Sequence, residues 1–353
     1  MLENMKSDKR NVLISILNWN SSIATLECID SLQGQNTDGV TVKLAVIDNG
    51  SRDDEWRILA AGAQTRGIVL NRQESNLGFA GGHNLSMQAA IDSDYDFVWL
   101  VNNDATVHAD ALEKMIRIME KDSSCGAVAP LCIAEHDPQH IDFLGARHDW
   151  KNLASVRSSS LIETASLEKT NPDAQWIAGT AALFRVTALK QIGLLDEKLF
   201  AYFEDNDISA RLAAAGWKNR VALDAKVIHA CHQGKDTNRP PYFFYLMQRN
   251  FFHFWRKNTP PAYRRFLSIR LLDRSLYEVN RLYYGGYKEL GDAALLGTSD
   301  GFWGVFGAPR LDRSPSRSII FLTWLLSIPH GRALKRLALQ NKLSVTPLTE
   351  PRR

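Results

Sequence analysis

The sequence predicts an α/β protein built on parallel strand–helix–strand units, followed by a helical, basic C-terminal region. Three observations carry this reading. Over the first 130 residues, short apolar runs alternate with stretches of helical length, as parallel βαβ units require. Three of the runs close on polar turns: Asn18-Trp19-Asn20, Asp48-Asn49-Gly50-Ser51 and Asn102-Asn103-Asp104. The charge is also divided along the chain. Residues 1–248 carry 24 Lys+Arg against 32 Asp+Glu, whereas residues 249–353 carry 18 against 7.

In chain order, the apolar run 12–17 reads as a buried strand and 23–32 as a helix. Residues 42–47 form a second strand, ending at the turn signal Asp48-Asn49-Gly50. A helix is expected over 53–66, a short strand over 68–70 and a helix over 79–91. The most apolar strand, 97–101, stops abruptly at Asn102; a helix over 109–121 and a strand over 127–131 follow. Residues 135–175 lose the pattern and read as a loop or small excursion over the sheet. A strand at 181–184, a helix at 207–215 stopped by Gly216, and a short strand at 227–228 complete this part. Residues 264–284 form a basic amphipathic helix. Its stripe is Phe266, Ile269, Leu272, Leu276, Val279 and Tyr283, flanked by Arg265, Arg270, Arg274 and Arg281.

The length of 353 residues and the 45% hydrophobic content allow a substantial core. Cys28, Cys125, Cys132 and Cys231 are scattered without a CxxC pair. They indicate neither a disulfide framework nor a zinc site, and they fit a reducing cytosol. The first ten residues lack the apolar core of a signal peptide. The longest apolar stretch, 319–328, is too short to span a bilayer. A basic tail on an acidic body suggests an anionic partner, either a phospholipid surface or nucleic acid. No nucleic-acid module accompanies the charge, so nucleic acid is not expected.

Ligands of parallel α/β sheets bind beyond the carboxyl ends of the strands. Each polar turn alone could merely shape a loop, but three in succession mark a site. Asp48 can accept hydrogen bonds from a ribose hydroxyl or a base N–H, or it can serve an Asx-turn. Asp104 is a hard oxygen ligand at a strand end, suited to a magnesium ion that takes its other ligands from substrate phosphates. Asn76-Leu77-Gly78-Phe79-Ala80-Gly81-Gly82-His83-Asn84 is a glycine-rich lead into a helix. Its free N–H groups could receive phosphate, or its glycines could permit close packing. Phe203-Glu204-Asp205-Asn206-Asp207 opens a helix. Acidic residues suit that position as caps, yet a Glu-Asp pair could also present a general base to a hydroxyl. Asp207 and Arg211 are spaced for a helix ion pair. His229, at a strand end, is a further metal or phosphate contact, with His232 close behind.

The order of these motifs resembles the family 2 glycosyltransferases with the GT-A fold, and within them the bacterial rhamnosyltransferase-like group. The matching segments are NWN at 18–20, DNGSRD at 48–53, NLGFAGGHN at 76–84, NND at 102–104, WIAGTAALFR at 176–185, GLLDEKLFAYFEDNDISARLAAAGW at 193–217 and VIH at 227–229. The resemblance implies a nucleotide-diphospho-sugar transferase fold, a Rossmann-like mixed sheet flanked by helices, with a helical C-terminal extension. A catalytic domain would cover 1–250, with a nucleotide-sugar half at 11–131 and an acceptor half at 175–250; a helical region would occupy 251–353.

The implied donor contacts are Asn18, Asn20, Asp48, Asn49, Ser51, Gly78, Gly82, Asn84, Asn102 and Asn103. Asp104 matches the last Asp of a DXD-type motif that holds Mg²⁺ or Mn²⁺; the first position here is Asn102. His229 matches a histidine that completes the metal site in some relatives. Asp205 matches the proposed base, with Glu204 beside it, and Trp176, Gly179 and Thr180 fall on the acceptor side. Tyr245, Arg249 and Asn250 resemble a feature that follows the catalytic domain.

The implied reaction is an inverting transfer from a nucleotide-diphosphate sugar to a glycan or lipid-linked acceptor. Rhamnose from dTDP-rhamnose is the first donor to consider, and a UDP-linked hexose is the alternative. A nucleotidyltransferase and a non-catalytic sugar-nucleotide or glycan-binding module are rival readings. The basic C-terminal region would meet the inner face of the cell membrane, pack as ordinary helices, or form a homo-oligomer.

Overall fold

The computed structural model describes residues 9–37, 39–171, 174–230 and 236–339. They divide into two compact units. The first comprises the described residues up to Arg147, with Arg157–Asp196 and 208–230. The second comprises His148–Val156, Glu197–Asp207 and the described residues from 236 onward.

The first unit begins with β1 (Arg10–Asn18), α1 (Ser22–Gln33), β2 (Val40–Asp48), α2 (Asp53–Thr65), β3 (Leu70–Arg72), α3 (Gly78–Asp92) and β4 (Phe97–Asn102). β1 pairs in parallel with β2 on one side and β4 on the other. Side chains alternate across a strand, and here both faces are covered. Val12, Ile14, Ile16, Phe97, Trp99 and Val101 enter one core with α1 and α4 (Ala111–Lys121). Leu13, Val98 and Leu100 enter the other with Met87 and Ala90 of α3. Gly82 shows why this second layer needs a glycine: a Cβ there would lie 2.3 Å from the Leu17 side chain.

The sheet continues through β5 (Ala105–Val107), β6 (Cys125–Ala134) and β7 (Asp137–Phe143), and β8 (Ala146–Asp149), β9 (Ala154–Arg157) and β10 (Gln175–Trp176) form a separate three-stranded sheet, with α5 (Leu161–Thr170) between β9 and β10 in the chain. Residues 135–175 therefore carry three strands and a helix, more order than the expected loop. Their polar alternation is that of half-exposed strands, which lack an apolar run. β11 (Leu183–Arg185) precedes α6 (Val186–Ile192) and runs antiparallel to both β4 and β6. The sheet order is β3-β2-β1-β4-β11-β6-β12-β5, where β12 is Lys218–His229. It is the mixed sheet that the family resemblance implies, where the strand–helix alternation alone pointed to parallel units. The strand expected at 227–228 is the end of the twelve-residue β12, whose exposed positions hide its length from a search for apolar residues.

α7 (Glu204–Ala214) starts in the second unit and ends in the first. From residue 236 onward the second unit is built of helices: α8 (Pro241–Asn258), α9 (Leu267–Tyr284), α10 (Lys288–Trp303) and α11 (Arg317–Leu339). Phe243, Phe244, Leu276, Val279, Leu282, Ala294 and Ile319 form one of its cores. The stripe expected on α9 is shifted. Leu267, Leu271, Leu276, Val279 and Leu282 are buried, whereas Phe266 is 61% and Ile269 67% exposed. Ser275 explains the shift, because a polar residue lies inside: its Oγ donates to Gln248 Oε1 at 2.5 Å. The arginines are engaged as well. Arg270 donates to the Lys151 carbonyl, Arg274 to that of Asn152 at 2.6 Å, and Arg281 pairs with Glu278. No helix among the described residues is long and apolar enough to cross a membrane.

Candidate active site

The register of the parallel strands brings the polar turns to one edge. Asn18 faces Asp48, and Leu17 faces Asn102. Helices lie on both faces, and β1 sits between β2 and β4 where the strand order reverses, the usual ligand crevice of such sheets. Asp48 is fully buried, and it accepts from Asn18 Nδ2 at 2.8 Å and from Ser51 N at 3.3 Å. Arg72 Nε stands 3.6 Å from Oδ2, the oxygen that Ser51 N reaches. Asn18 Nδ2 also reaches Ser51 Oγ at 3.0 Å, and Asn18 Oδ1 accepts from Thr25 Oγ1 at 2.8 Å. Asn20, with a positive φ of 53°, accepts from Arg52 N and donates its own N–H to Ser51 Oγ. These bonds fix the first two turns as one rigid edge.

Asn49 ties that edge to α3. Its Nδ2 donates to Asn76 Oδ1 and Gly78 O, and its Oδ1 accepts from Leu77 N at 3.0 Å. Gly78, with φ of 76°, opens the helix. Gly82 and Asn84 serve packing: the first meets Leu17, and the second exchanges two 3.0 Å hydrogen bonds with the Leu195 backbone. His83 is buried, with its Nδ1 2.8 Å from Ser15 Oγ, and burial pushes it down to about 3, so it is neutral.

The third turn meets β12. Ala105 pairs with His229 across β5 and β12, which sets Asp104 Oδ1 3.3 Å from His229 Nε2. Asn102 Nδ2 lies 3.3 Å from the same nitrogen. Asn102 Oδ1 is buried and has no hydrogen-bond partner among the described residues. Asn103 donates to Thr25 Oγ1 at 3.0 Å. His229 Nδ1 faces Asp142 Oδ2 at 3.8 Å. Sequence reading missed Asp142, since it lies in a segment taken for a loop. No group of three or more His, Cys, Asp or Glu suited to a metal occurs among the described residues. A carboxylate, an imidazole and an unused amide oxygen nevertheless fit a hard divalent ion that completes its shell with phosphates and water. His232 lies outside the described residues.

Gly179 and Thr180 form a half-buried 3₁₀ turn, Gly179–Ala181, anchored by Trp99 Nε1 on the Ala181 carbonyl at 3.0 Å. Trp176 is buried against Phe143, Cys132 and Ala146.

In the second unit, the acidic cluster separates by burial. Asp207 is fully buried, with its carboxylate held by Lys257 Nζ at 2.9 Å and Asn258 Nδ2 at 2.8 Å. Those partners lie on α8, and the guanidinium of Arg211, four residues on, donates to the carbonyls of Ile192 and Leu194. Glu204 is 7% exposed, and burial, seconded by the charge of Asp205, pushes it up to about 8. The shift favours its protonated form and so weakens it as a base. Asp205 is half-buried, and its Oδ1 accepts from Asn206 N at 2.7 Å and Asn206 Nδ2 at 2.9 Å. Asn206 Oδ1 lies 3.1 Å from His148 Nε2, and burial pushes His148 down to about 4. No local signal pointed to His148, which lies 58 residues away in sequence.

Comparison with known proteins agrees with this architecture. The family model "Glycosyl transferase family 2" matches residues 14–193, about half of the chain and short of Asp205 and His229. The galactofuranosyltransferase GlfT1 of Mycobacterium tuberculosis is 32% identical over 199 residues, covering 56% of this chain and 62% of that protein. The N-acetylglucosaminyl-diphospho-decaprenol L-rhamnosyltransferase of the same organism is 26% identical over 223 residues, covering 57% of this chain and 69% of that one. The chain thus matches less than two thirds of the length of the galactofuranosyltransferase. Among solved structures, S. aureus TarS 1-349 superposes with a TM-score of 0.56 at 16% identity, covering 94% of this chain and 92% of that one. The Pyrobaculum calidifontis mannosyltransferase PcManGT, in complex with GDP-Man and Mn²⁺, gives 0.51 at 15% identity, covering 94% and 84%. The fold is GT-A, and the chain belongs to glycosyl transferase family 2.

Proposed function

We propose that this chain moves a sugar from a nucleotide-diphosphate sugar to a hydroxyl of a glycan or lipid-linked acceptor, with inversion, in cell-surface polysaccharide synthesis. The observation that carries the reading is the single sheet edge on which Asn18, Asp48, Asn102 and Asp104 meet His229. Asp48 takes the nucleoside; Asn20, Asn49, Ser51, Gly78 and Asn103 shape the donor pocket, and Gly82 and Asn84 hold α3 in place. Asp104 and His229 would hold Mg²⁺ or Mn²⁺, with Asp142 orienting the imidazole. A bound divalent ion supplies Lewis-acid offset of charge on the leaving diphosphate. Asp205 takes the proton of the acceptor hydroxyl, and Glu204 supports it. Trp176, Gly179 and Thr180 build the acceptor side. A catalytic domain over 1–250 and a helical region over 251–353 are part of the proposal.

Two donors come first. L-rhamnosyl and galactofuranosyl transfer are the activities named for the two relatives, so dTDP-rhamnose and a UDP-linked hexose are the readings to separate. Thermal shift against a panel of nucleotide sugars with Mn²⁺ tests the proposal, since a ligand of the folded state raises its melting temperature. A panel that leaves the melting point unmoved counts against it.

The membrane contact falls to α11. Phe321, Trp324, Leu325 and Ile328 recur at helical spacing and are exposed, and Trp324 is 67% so. Arg317–Leu339 contains no acidic residue, and Arg317, Arg332, Lys335 and Arg336 flank the apolar face. An amphipathic helix with cations beside aromatic residues suits an anionic phospholipid surface. Dimerisation through the same face without vesicle binding would assign it instead to a second copy of the chain.

A further inference from the structure

The loop that leads into α7 holds an unusual backbone. Phe200, Tyr202 and Phe203 have positive φ, 63°, 70° and 72°. This is the left-handed region that residues with a Cβ avoid. Glycine would take it freely, so here the surroundings must impose it. They do so from α8. Asn250 is fully buried, and its Nδ2 donates to the carbonyls of Leu199 at 2.8 Å, Ala201 at 2.7 Å and Tyr202 at 2.8 Å. Its Oδ1 accepts from Arg249 Nε at 3.0 Å. Arg249, equally buried, donates from Nη2 to Leu199 O at 2.8 Å and Lys198 O at 3.2 Å. Farther along α8, Lys257 and Asn258 hold Asp207. The helix therefore grips the chain before and after Glu204 and Asp205. Buried donors left without these loop carbonyls would each carry the cost of an unmade hydrogen bond, so the loop is held in the conformation that satisfies them.

We propose that Asn250, braced by Arg249, is a positioning residue for the Asp205 carboxylate. It fixes the left-handed turn that sets where α7 begins, and so the direction in which Asp205 is presented to the acceptor hydroxyl. The proposal rests on reading Asp205 as the base. A displacement of about 1 Å at a reacting group can cost about 100-fold in rate.

The test is a double-mutant cycle with Asn250→Ala, Asp205→Asn and the pair. Turnover is followed with dTDP-rhamnose, or the donor selected by the panel, and donor affinity is measured by calorimetry. Asn250→Ala is expected to lower kcat about 10- to 100-fold with donor affinity unchanged. The double variant should be no slower than Asp205→Asn alone, since Asn250 acts through that carboxylate. Multiplying effects, or an equal loss of donor binding, would overturn the positioning role while leaving the base in place. Near-wild-type turnover by Asp205→Asn would overturn the base reading and this proposal with it. If Asn250→Ala does not fold, Asn250→Ser, which keeps one hydrogen to donate, takes its place in the cycle with the same criteria.

Discussion

Replacing Glu204 by Gln isolates the cost of a carboxyl deprived of water. Glu204 is 7% exposed, and its Oε2 has no hydrogen-bond partner among the described residues. Burial and the neighbouring Asp205 raise it from an ordinary 4.5 to about 8. The folded value lies above the unfolded one, so the folded protein keeps a proton that the unfolded chain has lost. The stabilising contribution is full below about pH 4.5 and is lost as the pH rises through about 8. Between those limits this one group removes about 1.4 kcal/mol of stability per pH unit. From pH 6 to 8, with the titration rounding off near 8, the loss is about 2 kcal/mol. Glu204→Gln has nearly the same shape and no charge to acquire, so it lacks this slope. Urea unfolding of both proteins at pH 6, 7 and 8 should show the variant gaining about 2 kcal/mol on the wild type. Stabilities that move in parallel with pH would refute the reasoning.

Asp205→Asn should lower turnover about 10²- to 10⁴-fold, the usual contribution of a general base, with donor affinity retained; a variant near wild-type rate would exclude Asp205 as the base. Asp104→Ala should weaken donor binding in the presence of Mn²⁺ by at least about tenfold, or about 1.4 kcal/mol. Calorimetric affinity unchanged by the substitution and by the metal would count against the ligand role. Asp142→Asn should weaken metal affinity about 10- to 100-fold by freeing the His229 ring, and an unaltered Mn²⁺ titration would remove Asp142 from the site. Phe321→Ser with Trp324→Ser should lower sedimentation with anionic vesicles about tenfold or more, from the loss of two buried aromatic surfaces. Equal sedimentation of variant and wild type would release α11 from that role.

The strand–helix order up to β6 was legible, the three-residue β5 apart, because each of the other elements carries its own period and its own stop. The apolar run of β4 ends at Asn102, and Gly78 opens α3. The mixed direction of the sheet came from the family resemblance alone, since the three residues of β11 carry no local sign of which way they run. β7 was missed because its alternation is polar, and Asp142 was missed with it. Within the site, the strand-end residues could be found locally, because the ends of parallel strands fall on one edge. The partners that decide the roles of the acidic cluster could not. Lys257 and Asn258 hold Asp207 from about 50 positions away, and His148 reaches Asn206 across 58. The stripe on α9 misled for a related reason, because a helix buried among helices can place Ser275 inside and Ile269 outside.

The central claim is transfer of a sugar from a nucleotide donor with Asp205 as base. Its most direct test incubates the protein and its Asp205→Asn variant with a panel of glycan and lipid-linked acceptors, Mn²⁺ and, in separate reactions, dTDP-rhamnose and a UDP-linked hexose. Products are weighed by mass spectrometry, and their anomeric configuration is read by NMR. The expected result is one added sugar of inverted configuration from one of the two donors, with a free nucleoside diphosphate, and no such product from the variant. Release of pyrophosphate, retention of configuration, or an equal yield from Asp205→Asn would contradict the claim.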